Sequence, residues 1–136
     1  MNITYPELKK RIQSTLIDAF FIIFLMAIFS NLFGFFGESP DWLHAAVFIG
    51  IWVLYEPLCT SLGSTLGNYL MGIRVRKYDD PENRINFLQA IVRYAIKIFL
   101  GWISFLTMHR NEERRAIHDL MAGSVMINAP VKTALA

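Results

Sequence analysis

A chain of 136 residues has room for one domain, and 54% hydrophobic residues with a mean hydropathy of +0.39 exceed what ordinary soluble domains carry. A formal net charge of +2 offers no bulk electrostatic basis for a nucleic-acid partner. The single Cys59 excludes an intrachain disulfide and any multi-cysteine metal site, and its place inside an apolar stretch makes it a small buried hydrophobe.

Residues 12–36, 42–62 and 87–108 hold most of the Phe, Ile, Leu, Trp and Met. They are apolar nearly all round, whereas a soluble core helix shows one apolar stripe. The first stretch, at 1.5 Å per residue, can cross a hydrocarbon core of about 30 Å. Lys9-Lys10-Arg11 precede it as they would a signal peptide, but the apolar run is too long and no clear cleavage site follows, so an uncleaved span is predicted. Gly37-Glu38-Ser39-Pro40 closes it, with Ser39 as candidate N-cap and Pro40 as first residue of a second helix that begins near Trp42. That helix reaches about Leu62 and should kink at Glu56-Pro57, because proline removes a backbone hydrogen bond. His44, near its start, reads as an interfacial histidine.

Residues 63–86 form a polar loop with a short extended piece at 72–77. In it Gly63 and Gly67 permit close backbone approach. A phosphate-cradling loop is the sharper alternative, but no Gly-Lys-Ser/Thr follows. The third stretch, 87–108, is long enough to cross, and 116–127 is amphipathic and too short to do so. Lys9, Lys10 and Arg11, together with Arg74, Arg76, Lys77 and Arg84, place the N-terminus and the long loop in the cytoplasm by the positive-inside rule. A third full crossing then puts Arg110, Arg114 and Arg115 outside, against the same rule. Either Glu112 and Glu113 soften that conflict, or the third stretch bends near Gly101 and re-enters the cytoplasmic face. The expected fold is therefore an all-α, multi-pass membrane protein with about three transmembrane helices, the third spanning or re-entrant, and a C-terminal amphipathic segment. Residues 5–127 make one domain and 128–136 a flexible tail.

Several ionisable residues sit where hydrocarbon makes them costly. Arg11, Ser14, Thr15 and Asp18 share one face of the first helix. Asn86, Gln89, Arg93, Lys97, Gly101 and Ser104 share one face of the third. If that face meets the bundle, Arg93 and Lys97 are the partners of Asp18, Glu56 and Asp119; if it lies at the interface, they reach lipid phosphates instead. Glu56 beside Pro57, with Thr60 a turn on, either forms part of a kinked-helix ion site or is a carboxylate at the membrane edge. His109, His118 and Asp119 are the nearest candidates for an enzyme. His118 and Asp119 point about 100° apart on a helix, and no H-E-x-x-H spacing occurs, so neither a catalytic constellation nor a metal or cofactor motif emerges.

Arg11…Asp18 entering the first span, Gly63-Ser64-Thr65-Leu66-Gly67…Gly72-Ile73-Arg74-Val75, Arg93, and Arg114-Arg115-Ala116-Ile117-His118-Asp119-Leu120-Met121-Ala122-Gly123-Ser124-Val125 together resemble the RDD family of bacterial membrane proteins. The likeness runs from about Tyr5 to Ile127. It implies that the signature arginine and two aspartates are Arg11, Asp18 and Asp119, and that the protein sits in the bacterial inner membrane. It departs where such loops often carry a basic pair and this chain has Asn68-Tyr69, and where Ser124 replaces a threonine. The function it implies is transport of an unidentified ligand, with cation–proton exchange suggested for some members. The leading expectation is a homo-oligomer that binds or moves a small cation or proton at Asp18 and Asp119, with Arg11, Arg93, Lys97 and Glu56 setting their charge. Oligomerisation enters because about three helices do not easily enclose a pathway. The alternative is a non-transporting scaffold in which these residues form a structural salt-bridge network.

Overall fold

The computed structural model describes residues 2–129. Helix α1 is Leu8–Phe36 and α2 is Asp41–Leu62, an antiparallel hairpin in which Phe21 meets Tyr55 and Phe33 meets His44. A short α3, Leu66–Leu70, leads into strand β1, Ile73–Lys77. Then come α4, Phe87–Leu100, a 3-10 helix Gly101–His109, α5, Ile117–Ala122, and strand β2, Ser124–Asn128.

Three helical stretches, Leu8–Phe36, Asp41–Leu62 and Phe87–His109, are long and apolar enough to cross a membrane. In α1 the usual burial rule is inverted. Its buried residues are Arg11, Ser14, Asp18 and Ile22, while Phe20, Ile23, Phe24 and Ile28 are exposed. A surface of that kind needs lipid around it and a polar interior partner within it.

The α2 helix continues through Pro57. Its start departs from the sequence expectation: Pro40 precedes the first turn, and no side chain caps it, because the Ser39 hydroxyl pairs with His44 Nε2 at 2.7 Å. By contrast α4 opens on a reciprocal cap, with Gln89 N donating to Asn86 Oδ1 and Asn86 N to Gln89 Oε1.

The third apolar stretch does not run straight. Gly101, at φ +54°, ends α4 in a conformation that costs an L-residue side chain energy. Beyond it the chain descends toward the start of α1. The Phe105 ring lies 5.5 Å from the Arg11 guanidinium, and Met108 and His109 border the same surface cavity as Glu7, Leu8 and Lys9. The other end of the stretch lies on that side too, since Ala90 packs into the sheet core and Asn128 N of the sheet donates to Thr4 O at 2.9 Å. Its apex at Gly101 and Trp102 shares a cleft with Ile22, Ile23 and Trp52, roughly halfway along the α1–α2 hairpin. The re-entrant alternative is thus the path taken, so Arg110, Arg114 and Arg115 lie at the same end as Lys9 and Lys10.

The C-terminal segment holds one correction. Ser124–Asn128 is a strand, not the continuation of an amphipathic helix, and pairs antiparallel with β1 with Arg76 opposite Val125. Gly123 in the left-handed conformation ends α5 and turns the chain into it. Ile73, Val75, Ile85, Ala90 and Met126 form the core beneath this pair. Asn128, expected in a flexible tail, is the last strand residue, and Ala129 N still donates to Gly72 O at 2.7 Å. The rest of that expected tail, 130–136, lies outside the described residues.

Candidate functional site

Four segments deliver charge to one polar centre inside the bundle: α1 brings Arg11, α2 Glu56, α4 Arg93 and Lys97, and α5 Asp119. Arg11, Arg93 and Asp119 are all buried, at no more than 3% exposure. Asp119 is the hub. Its Oδ2 accepts from Arg11 Nη2 at 2.6 Å and from Ala116 N at 3.1 Å, and its Oδ1 accepts from Arg93 Nε at 3.0 Å. The amide bond also fixes the first turn of α5, so the carboxylate joins two helices while capping a third element. Burial by itself would raise the Asp119 carboxyl, but the Arg11 and Arg93 guanidiniums outweigh it and hold the group well below the ordinary carboxylate range.

Arg93 also reaches Glu56, Nη1 to Oε1 at 3.2 Å, and Lys97 Nζ lies 2.8 and 3.0 Å from the two Glu56 oxygens. Arg93 therefore bridges the carboxylates of α2 and α5. Glu56, beside Pro57, is held by ion pairs to both Arg93 and Lys97.

His118 is completely buried beside Asp119. Arg11 Nη2 lies 3.1 Å from its Nε2, and arginine can only donate, so Nε2 is an acceptor. The proton is then on Nδ1, which donates to Ser104 Oγ at 2.5 Å, and that hydroxyl also accepts from His118 N. The imidazole is neutral. Desolvation, opposed by Asp119 and reinforced by Arg93, Arg11 and Lys97, pushes its pKa down to about 2. His118 thus ties the returning 3-10 helix to α5. His109, the other histidine considered, borders the surface cavity near Leu8, away from this cluster.

Asp18 behaves differently from expectation. Neither Arg11 nor Arg93 pairs with it; its oxygens accept from Tyr55 OH at 2.9 Å, Thr65 Oγ1 at 2.7 Å and Gly67 N at 2.8 Å. Ser14 Oγ adds a bond to Asn68 Oδ1. The stripe of α1 is therefore split: Arg11 serves α5, and Ser14 and Asp18 strap the 63–70 loop onto α1. Gly67 is required for that approach, since a Cβ there would overlap the Ser14 carbonyl oxygen and lie 2.9 Å from the Asp18 carboxylate. The glycine loop is thus a packing device. Tyr55 was not readable as a site residue, and the partners of Thr65 and Ser104 were not, because each is a single hydroxyl whose partner is more than ten positions away.

Arg11, Ser14, Asp18, Glu56, Arg93, Lys97 and His118 are among the residues that line a partly open chamber of about 10 Å³, room for about one water. Arg11 Nε points to no protein partner. Alongside runs the larger cleft, about 490 Å³, walled by apolar residues of α1, α2, α4 and the 3-10 helix, with Asp18, Glu56 and Lys97 at its polar end. Among the described residues no group of three or more His, Cys, Asp or Glu is placed to hold a metal ion.

The RDD family model matches residues 5–123, which takes in both helices of the hairpin, the re-entrant segment and the whole charged cluster. The chain belongs to the RDD family. No curated protein and no solved structure matches it. In this RDD protein Arg11 and Asp119 are joined directly and Asp18 is not joined to either, so these three residues form two separate clasps.

Proposed function

We propose that this RDD protein is a non-transporting membrane module and that its charges are a structural lock. The observation that carries this is the state of Asp119: fully buried, bonded to two guanidiniums and a backbone amide, with no side open to a guest. Arg11, Arg93 and Lys97 balance Asp119, Glu56 and Asp18, so a bound metal cation would add an uncompensated charge to a low-dielectric interior. The lock holds a re-entrant hairpin whose irregular backbone needs protein around it.

The basic ends of α1, β1 and the 110–115 loop all lie on one side, and the opposite turn carries Glu38 and Asp41, which supports a cytoplasmic N-terminus and a cytoplasmic sheet in a bacterial inner membrane. Purified protein in vesicles should show no cation or proton exchange above protein-free vesicles. Saturable exchange that disappears in Asp18→Asn would overturn the proposal.

One observation favours a second reading, proton movement: Asp18, Glu56 and Lys97 border both the one-water chamber and the open cleft. A proton can pass along such a chamber through a single water, and only this reading calls for a homo-oligomer to complete a path. It predicts proton flux lost in Glu56→Gln.

A further inference from the structure

Ile73 and Val75 point into the core beneath the sheet, so the strand's alternation sends Arg74 and Arg76 to its other face. The turn that follows, closed by Lys77 N to Asn83 O at 3.2 Å and Asn83 N to Asp80 O at 3.0 Å, brings Arg84 back beside β1. Arg84 Nη1 donates to Leu62 O at the C-terminus of α2. Its guanidinium carbon lies 3.6 Å from where a Gly63 Cβ would stand.

Arg76 is 8% exposed, yet among the described residues its side chain hydrogen-bonds only to the neighbouring Val75 O, at 3.3 Å. Among the described residues none of these three arginines has a carboxylate within 4.0 Å; Asp80 is engaged in its own turn, and Asp79 and Glu82 make no ion pair. The unbonded guanidinium nitrogens of Arg76 are not among the fully enclosed orphan atoms, so they reach the surface. Burial, with Arg74 and Arg84 beside it, depresses the Arg76 pKa. A cation held so at a cost to folding calls for an anion that the described residues do not supply.

The setting limits what that anion is. The cluster sits where a membrane-crossing helix ends, and Leu62, Phe87 and Leu88, close to Arg84 in contact or in sequence, are exposed apolar side chains. Planar guanidiniums match phosphate oxygens bidentately. We propose that Arg74, Arg76 and Arg84 bind the phosphate of an anionic phospholipid headgroup, its acyl chains lying against Leu62, Phe87 and Leu88.

The test uses the full chain in detergent, titrated with short-chain phosphatidylglycerol, phosphatidylcholine or inorganic phosphate, with the melting temperature and native mass spectrometry as readouts. Phosphatidylglycerol should bind saturably and raise the melting temperature more than phosphatidylcholine. Arg74→Gln/Arg76→Gln should weaken it about thirtyfold, two cations' worth of headgroup attraction, while leaving the melting temperature in phosphatidylcholine unlowered. Equal response to both lipids, or an unaffected double variant, overturns the site. Inorganic phosphate that binds as tightly as the lipid overturns the lipid assignment in favour of a soluble phosphate. Should the double variant not fold, wild-type binding must still weaken as salt rises, and salt-independent binding refutes the proposal.

Discussion

Replacing Asp119 by asparagine keeps the side chain's shape and removes its charge. Arg11 and Arg93, at 2% and 3% exposure, then face each other across a neutral amide. Arg93 keeps Glu56, but Arg11 keeps only the Arg114 carbonyl, the His118 nitrogen and the face of Phe105. The amide nitrogen also brings a donor toward groups that are all donors: two guanidiniums and Ala116 N. Removing one member of a buried ion pair costs about 3–5 kcal/mol, because the remaining charge is left uncompensated. Asp119→Asn should therefore lose stability in that range in denaturant titrations of the detergent-solubilised protein. Adding Arg93→Gln restores neutrality while Glu56 retains Lys97, so the double variant should be more stable than the single one, with a coupling of about 0.5–3 kcal/mol. A loss below about 1 kcal/mol for Asp119→Asn, or simple additivity with Arg93→Gln, would refute the lock.

Gly67→Ala should cost about 1–3 kcal/mol and expose the 63–70 loop to protease, since its methyl meets the Ser14 carbonyl and the Asp18 carboxylate. Acid should destabilise the protein in two stages. His118 is neutral in the folded state down to about 2 but takes a proton near 6.5 when unfolded, so stability falls as pH drops below 6.5, by about 1.4 kcal/mol per pH unit for one proton. Asp119, also depressed by folding, adds to the fall below its ordinary 3.8, and His118→Gln should flatten the upper stage in melts taken from pH 7 to 4. Because the third apolar stretch doubles back, single cysteines at His109 and at Lys9, in a Cys59→Ala background, should label with a membrane-impermeant thiol reagent from the same side; labelling from opposite sides refutes the re-entrant path.

Composition and the length of the apolar stretches were enough to specify a membrane protein with an α1–α2 hairpin, because both properties are sums over many residues and tolerate local error. The stripes Arg11…Asp18 and Arg93…Lys97 were legible for a similar reason: helical periodicity places them on a face whatever that face meets. Pairing was not legible. Arg11 and Asp119 are separated by 107 intervening positions, and only the tertiary structure decided that Arg11 turns to α5 while Asp18 turns to Thr65, Tyr55 and Gly67. Strand β2 stayed hidden because Ser124–Asn128 lacks a propensity strong enough to stand alone, and its identity rests on hydrogen bonds to β1. The direction taken after Gly101 depends on one backbone torsion and on the Ser104–His118 and Phe105–Arg11 contacts that reward the turn. Sequence by itself determined that charge must be neutralised inside this membrane protein; the fold alone chose which charges meet, because burial makes pairing obligatory without saying with whom.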